Sequence, residues 1–316
     1  MSTPGHRNSL DWTLFAVLTV LWALAYPGNR LAVNMSDPAH GFPPQLVTAA
    51  RLCIGAAILM GIAIWKKERF PPLTDWRRWG TLFVLGFIGM TAPFLAITFA
   101  QRTVDSSLAA LYVAAAPLFV AGLAHFFFAA ERLTRGVVLG LIVGISGVAL
   151  LFGPDAISSF GSASVGAQAL CLMATMFYAI TTITARAAPP MSPIMMSAAF
   201  VTLAALLSLP TLAGVDFAEL DPAPSAYAGI AILALAPTAA ASFLYMRLVA
   251  RTSATFISLT GYTIPVVTAL IAFFMFGEMQ SFRSVAAYAL ILFGVWLSQK
   301  GAKKRPGHLG PGQLRK

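Results

Sequence analysis

The chain has 316 residues, of which 58% are apolar and 10% are charged. A water-soluble domain averages about 25% charged residues, so this composition excludes a soluble protein. The formal net charge is +10, and eleven of the 21 basic residues lie in two short segments, 66–78 and 300–316, that flank apolar runs. Basic residues at such positions orient membrane helices and contact anionic lipids. The charge therefore indicates a lipid partner rather than nucleic acid.

The first apolar segment, from Trp12 to Ala25, is open to two interpretations. Arg7 before it and Ala23-Leu24-Ala25 at its end are compatible with a cleaved signal peptide. Asp11 interrupts the basic region, however, and apolar character resumes at 31–33. These features favour a retained membrane helix.

Further along the chain, ten apolar stretches reach spanning length, and backbone in lipid must satisfy its own hydrogen bonds as helix. The predicted fold class is an all-α polytopic membrane protein with ten transmembrane helices. The predicted spans are 12–33, 45–65, 79–99, 106–128, 136–153, 165–186, 193–213, 226–248, 254–276 and 284–299.

The basic residues predict the orientation of these spans. With the N-terminus in the cytoplasm, 17 basic residues fall inside and four, Arg30, Arg51, Arg102 and Arg283, fall outside or at outer helix ends. Such an excess follows the positive-inside rule. An even number of spans returns the basic tail to the cytoplasm, so both termini are predicted to be cytoplasmic.

Landmarks in the first half recur in the second half. Arg102-Thr103, Pro117, Glu131 and Gly147 return as Arg251-Thr252, Pro265, Glu278 and Gly294, at offsets of 147 to 149 residues. Because each copy has five spans, an odd number, the second copy is predicted to be inverted, as in many secondary transporters. Chance recurrence of Pro and Gly is the alternative. The predicted units are 1–153, 154–299 and a basic cytoplasmic tail, 300–316.

The sequence resembles the EamA domain of the drug/metabolite transporter superfamily. The resemblance rests on Ala-Pro-Leu at 116–118, Ala-Glu-Arg-Leu-Thr at 130–134, the glycine pattern at 140–151, and looser copies at 264–266, 276–278 and 293–295. The second copy departs from the pattern at Met279-Gln280. The resemblance implies a ten-helix transporter, often an exporter of amino acids or related metabolites in bacterial inner membranes. It also implies a central cavity lined by helices 1, 3, 4, 6, 8 and 9.

Candidate binding side chains are polar but uncharged, or aromatic, because every Asp and Glu falls at or beyond a helix end. Hydroxyl and amide groups facing lipid would be unsatisfied, so polar stripes should turn inward, where they bind substrate or join helices. The predicted substrate-binding residues are Trp22, Tyr26, Asn29, Thr91, Phe94, Thr98, Tyr112, Tyr178, Thr181, Thr182, Thr238, Ser242, Tyr245, Ser258 and Tyr262.

Four other features have alternative interpretations. Arg30 and Arg51 could attract a substrate anion or extend to the outer headgroups. His125 is a satisfied interfacial histidine or a proton carrier. Pro117 and Pro265 are predicted hinges, or static kinks. The glycine face at 136–147 indicates close helix packing, within the fold or across a dimer.

Together these features predict a secondary transporter for a small neutral or zwitterionic metabolite, an amino acid or related compound. The resemblance implies that it is an exporter. A channel or a membrane assembly scaffold is the alternative. The motifs of a membrane enzyme are absent, and Cys53 and Cys171 lie apart from any metal-binding pattern, so no catalytic residue, metal or cofactor is predicted. The expected assembly is a monomer or homodimer.

Overall fold

The computed structural model describes residues 9–34, 37–100, 112–162, 165–276 and 281–301. Within these ranges the regular elements are all helical and no strand occurs. Ten apolar segments follow one another: α1 (Ser9–Asn29), α2 (Pro44–Trp65), α3 (Trp76–Ile97), α4 (Tyr112–Phe127), α5 (Arg135–Leu151), α6 (Val165–Ala187), α7 (Pro193–Gly214), α8 (Pro224–Arg251), α9 (Ala254–Thr268) and α10 (Phe282–Gly301).

Seven of these segments are long and apolar enough to cross a membrane, and α4, α5 and α9 are shorter. The helices that contain α5 and α9 continue to Ser162 and Phe276. In order and position the segments match the predicted spans, although the fourth is described only from residue 112. The all-helical, polytopic membrane fold is confirmed, and the number of crossings remains a prediction.

Local sequence determines where several helices begin. Pro44, Pro193 and Pro224 occupy the first turns of α2, α7 and α8, where the missing N–H costs no helical hydrogen bond. The side chain of Asp75 caps α3 by accepting a hydrogen bond from the backbone N–H of Arg78 at 3.2 Å. Ser253 caps α9 in the same way, through the N–H of Phe256 at 3.1 Å.

Two spanning segments change their hydrogen-bonding pattern halfway. In α3, helix Trp76–Phe83 passes into a π-helical stretch, Val84–Thr91, before Ala92–Ala100. In α8, helix Pro224–Leu233 passes into a π-helical stretch, Ala234–Ala240, before Ala241–Arg251. Such stretches are rare and often occur at functional sites. They occupy corresponding places in the two halves of the sequence.

The helix contacts also recur in matched pairs. We take α1 to α5 as the counterparts of α6 to α10. The contact between α3 and α6 then has its counterpart in the contact between α8 and α1. The contact between α4 and α6 has its counterpart in the contact between α9 and α1. Likewise α3 with α7 corresponds to α8 with α2. The pairs α2–α7 and α5–α10 each join two corresponding helices.

The glycine face of α5 packs against α10 within the fold. A Cβ on Gly294 would lie 2.5 Å from the backbone nitrogen of Gly144, and one on Gly147 would lie 2.8 Å from the backbone nitrogen of Ile291. Larger side chains would therefore separate the two helices. Of the two interpretations of this face, the structure supports packing inside the chain.

Candidate functional site

Arg51 is buried inside the helix bundle. It lies seven residues after Pro44, about 10 Å along α2 from the start of the helix, and it is 8% exposed. Its Nε donates a hydrogen bond to Oγ1 of Thr238 in α8 at 3.0 Å. Its guanidinium carbon lies 5.4 Å from the centre of the Phe94 ring in α3. The side chain thus points inward and does not extend to the headgroups.

The π-helical stretch of α8 holds Thr238 against this arginine. The Thr238 hydroxyl donates to the carbonyl of Leu233, five residues earlier, at 2.7 Å. A hydroxyl can donate once and still accept, so the same oxygen also accepts the bond from Arg51. Gly55 allows α2 to approach, because a Cβ there would lie 2.7 Å from Cγ2 of Thr238. The position of the guanidinium is therefore set by two helices.

A fourth helix and a pocket complete the surroundings of Arg51. Tyr178 of α6 lies within electrostatic range of the guanidinium. A pocket with about 300 Å³ of empty space, part of it open to the surroundings, lies between α2, α3 and α7. Phe94 lines this pocket and also lies over the guanidinium. The other lining residues are Pro44, Gln45, Thr48, Thr91, Leu95, Ser208 and Thr211.

The charges around the bundle are paired near helix ends. Asp11 accepts a hydrogen bond from Arg251 at 2.8 Å, and Glu131 lies 3.7 Å from Arg186. Within the described ranges, no carboxylate lies within the 4.0 Å ion-pair distance of Arg51. Arg51 therefore carries a buried positive charge that the described part of the chain does not neutralise.

Several predicted binding residues lie at or near this site. Besides Phe94, Thr238 and Tyr178, Trp22 and Tyr245 come together with ring centres 5.6 Å apart. The hydroxyl of Tyr245 donates to Oγ1 of Thr182 at 3.4 Å, which connects α8 to α6. Helices α1, α6 and α8 thus bring together a second cluster, formed by Trp22, Thr182 and Tyr245. Tyr245 lies seven residues after Thr238 on α8, so this cluster is close to the one around Arg51.

Other predicted residues are engaged within or between helices. The Thr91 hydroxyl donates to the carbonyl of Ala204 at 3.2 Å, and that of Thr181 donates to Phe177 at 2.7 Å. Tyr112 donates to Oε1 of Gln168 at 2.8 Å. These contacts join α3 to α7 and α4 to α6, except that of Thr181, which stays within α6.

The remaining predicted positions lie further from the cluster or outside the described side chains. Tyr262 is fully buried, and its hydroxyl donates to the carbonyl of Leu141 at 3.2 Å. Ser242 is buried, Ser258 donates to the carbonyl of Thr255 at 2.9 Å, and Asn29 is exposed. The side chains of Tyr26, Thr98 and Arg30 lie outside the described part of the structure.

The two prolines differ in their helical position. Pro265 lies inside helix Thr260–Phe276, as expected. Pro117 instead lies in the first turn of helix Ala116–Phe127, not in mid-helix. A first-turn proline loses no helical hydrogen bond, which explains why the chain breaks there. A Cβ on Gly261 would lie 3.7 Å from Cδ of Pro117, so α4 and α9 approach at this point.

The pocket residues Gln45 and Thr48 were not predicted from the sequence, and Arg51 was left with two interpretations. Arg51 and the pocket residues Gln45 and Thr48 share α2, spaced three residues apart within an apolar segment. Side chains three apart lie close on a helix, so this spacing was the available signal. Ser208 and Thr211 show the same spacing at the end of α7.

These observations define a polytopic helical membrane protein with a partly polar site between its helices. The sequence pattern of the EamA-like transporter family matches residues 11–153 and 166–299. The chain therefore belongs to this family of membrane transporters.

Relatives with transporter names resemble the chain. "Uncharacterized transporter YdfC" of Bacillus subtilis is 31% identical over 131 residues, which span 42% of this chain and 40% of that protein. An "Uncharacterized transporter" of Archaeoglobus fulgidus is 23% identical over 287 residues, spanning 90% of this chain and 97% of that protein. A solved crystal structure shares the fold, with a TM-score of 0.75 at 18% identity over 94% of this chain and 99% of that one.

Proposed function

We propose that this protein is a secondary transporter for a small neutral or zwitterionic metabolite, an amino acid or related compound. It exports the substrate across the inner membrane by alternating access, and both of its termini are cytoplasmic. The observation that carries the proposal is the cluster at Arg51, to which α2, α3, α6 and α8 contribute. Polar and aromatic groups converging in a helical membrane bundle are typical of a substrate site.

The pocket beside Arg51 has to widen before it can admit a metabolite. Part of its empty space is open to the surroundings, and the part that can hold water-sized groups is about 10 Å³, which is room for about one water molecule. Phe94 lines this pocket and contacts Arg51, so movement of its ring would open a path from the pocket to the guanidinium.

Alternating access is supported by the internal symmetry of the bundle. The matched helix contacts and the two π-helical stretches agree with inverted units at 1–153 and 154–299. Thr91 and Thr238 lie 147 residues apart, and each hydroxyl oxygen lies within 3.5 Å of the carbonyl oxygen five residues earlier. In inverted-repeat transporters the two units move around a site between them, and Arg51 and Thr238 belong to different units.

The proposed orientation rests on charge. Lys66, Lys67 and Arg69 are exposed after α2, where basic residues favour the cytoplasm and anionic lipids. The exposed residues Asp216 and Glu219 precede α8 and fall on the opposite side in this arrangement. The protein is proposed to act as a monomer or homodimer.

A metabolite screen tests the proposal. Medium from cells that overproduce the protein is compared with medium from cells that lack it, and released metabolites are measured by mass spectrometry. A compound that is released is then assayed for saturable counterflow in proteoliposomes. We expect Phe94→Ala to lower kcat/KM by about tenfold or more, because the ring contacts both the pocket and Arg51.

Phe293→Ala is the matched control, since this ring is exposed on α10 and its removal should leave flux unchanged. Flux without saturation or counterflow would favour a channel and overturn the carrier mechanism. The absence of any released or counterflowing compound would favour an assembly scaffold.

A further inference from the structure

We propose that Arg51 binds the carboxylate of the transported substrate, and that the transporter therefore selects compounds with a carboxylate over the same compounds without one. This inference rests on the proposed function, because it assigns a role within that substrate site. The inference adds to the proposed function the substrate group that is recognised, a carboxylate, and the side chain that recognises it, Arg51.

The first step of the argument is the cost of the buried charge. A guanidinium taken out of water is unfavourable unless a counter-charge and hydrogen bonds compensate it. Arg51 is 8% exposed and has no carboxylate within ion-pair distance in the described part of the chain. A charged group retained under these conditions indicates a ligand of opposite charge.

The second step concerns the geometry of the guanidinium. It has five N–H donors in a planar fork, and the described residues accept the one from Nε, through Thr238. That contact fixes the plane of the fork and leaves its terminal Nη groups for another acceptor. A carboxylate matches two parallel N–H donors of an arginine. Arg51 is therefore oriented for bidentate binding by its terminal edge.

The third step is access. Thr48 lines the pocket and lies three residues before Arg51 on α2, so the pocket approaches to within one helical turn of the arginine. Phe94 contacts both. Because the pocket has room for about one water molecule as it stands, a small carboxylate reaches the guanidinium when the pocket widens and the Phe94 ring is displaced.

The fourth step links binding to transport. Arg51 belongs to the first unit, whereas Thr238 and Tyr178 belong to the second. Movement of one unit against the other would change the contacts of the guanidinium. A carboxylate bound to Arg51 would offset the charge during that movement, so that the loaded carrier reorients more readily than the empty one.

The wild-type protein in proteoliposomes provides the first test. The probes are the proteinogenic L-amino acids, each compared as a competitor with its own α-amide, which lacks the carboxylate. For any amino acid that shows counterflow, we expect the amide to compete at least about tenfold more weakly, since the guanidinium then loses its partner. Equal competition by acid and amide would overturn the assignment and leave the transporter function intact.

Substitutions provide the second test. Arg51→Lys keeps the charge but not the planar fork, and we expect KM to rise about tenfold or more with kcat reduced less. Arg51→Met should abolish counterflow while the thermal midpoint in detergent is equal or higher, because a buried uncompensated charge is removed. Arg247→Met is the control for loss of an exposed arginine and should transport normally.

The outcomes separate the two proposals. If none of the amino acids shows counterflow with wild-type protein, the proposed function fails for this substrate class, and the role of Arg51 fails with it. If wild-type protein transports an amino acid but Arg51→Lys keeps its KM, the inference alone fails. A lower thermal midpoint in both variants with unchanged KM would assign Arg51 a structural role. If Arg51→Met does not fold, the Arg51→Lys variant and the acid–amide comparison still test whether Arg51 binds the carboxylate.

Discussion

Gly144 lies under the ring of Tyr262, at the contact between α5 and α9. A Cβ on Gly144 would lie 2.6 Å from Cε2 of that ring. The ring is fully buried, and its hydroxyl is held by the carbonyl of Leu141. Because real Cβ contacts are longer than this, any larger residue at 144 must displace the tyrosine or separate the helices.

We therefore expect Gly144→Ala to lower the free energy of unfolding by about 1–3 kcal/mol, which is the usual cost of overpacking. Gly122→Ala is the matched control, since nothing lies within 4 Å of its Cβ position in α4. In a helix that substitution is neutral or stabilises by up to about 1 kcal/mol. Unfolding of the purified protein in SDS measures both, and equal effects would contradict the close approach.

Single side chains also mark the limit of what the sequence predicts. Tyr178 and Thr238 were predicted because hydroxyl groups facing lipid would be unsatisfied, and Phe94 because it shares a helix face with Thr91. Arg51 was left with two interpretations, because an arginine near a helix end can extend to the headgroups. Its direction depends on the hydrogen bond to Thr238, which is 187 residues further along the chain, so local pattern does not determine it.

Among the helices, Glu131 joins three elements at one end of the bundle. Its carboxylate accepts hydrogen bonds from the backbone N–H groups of Ala254 and Thr255, both at 3.1 Å, at the start of α9. It also lies 3.7 Å from Arg186 at the end of α6. A carboxylate at a helix N-terminus satisfies free N–H groups and complements the helix dipole. This landmark of the sequence repeat thus has a structural use.

Replacing this carboxylate should loosen the start of α9. We expect Glu131→Ala to lower the free energy of unfolding by about 1–2 kcal/mol, as for loss of a helix cap. Glu131→Gln should cost less, because an amide oxygen still accepts one hydrogen bond. Glu219→Gln, at an exposed position before α8, should have no measurable effect. Thermal unfolding in detergent compares the three, and equal midpoints would exclude the capping role.

At this scale the sequence predicted the spans but not their internal irregularities. Apolar length predicted the spans, and the structure places Pro44 and Pro193 in the first turns of α2 and α7. The π-helical stretch at 234–240 contains Pro237, which removes a backbone N–H, whereas the stretch at 84–91 contains no proline.

At the scale of the whole molecule, the correspondence between α1–α5 and α6–α10 relates both the charged connections and the helix contacts. The connection from α2 to α3 contains Lys66, Lys67 and Arg69, and the corresponding connection from α7 to α8 contains Asp216 and Glu219. Helices α2 and α7 pack on each other, as do α5 and α10. Opposite charges on corresponding connections are what the positive-inside rule requires of inverted units.

Cysteine labelling tests this inversion. In a background with Cys53→Ala and Cys171→Ala, Thr74→Cys and Glu219→Cys each place one exposed thiol in a corresponding connection, since both positions are exposed. We expect a membrane-impermeant maleimide to label Glu219→Cys in intact cells and Thr74→Cys only after the membrane is opened, because lysines and arginines hold the latter connection in the cytoplasm. The cysteine-free chain gives the background signal. Labelling of both thiols from the same side would mean that the two units are parallel, and a rocking motion of inverted halves around Arg51 would then be excluded.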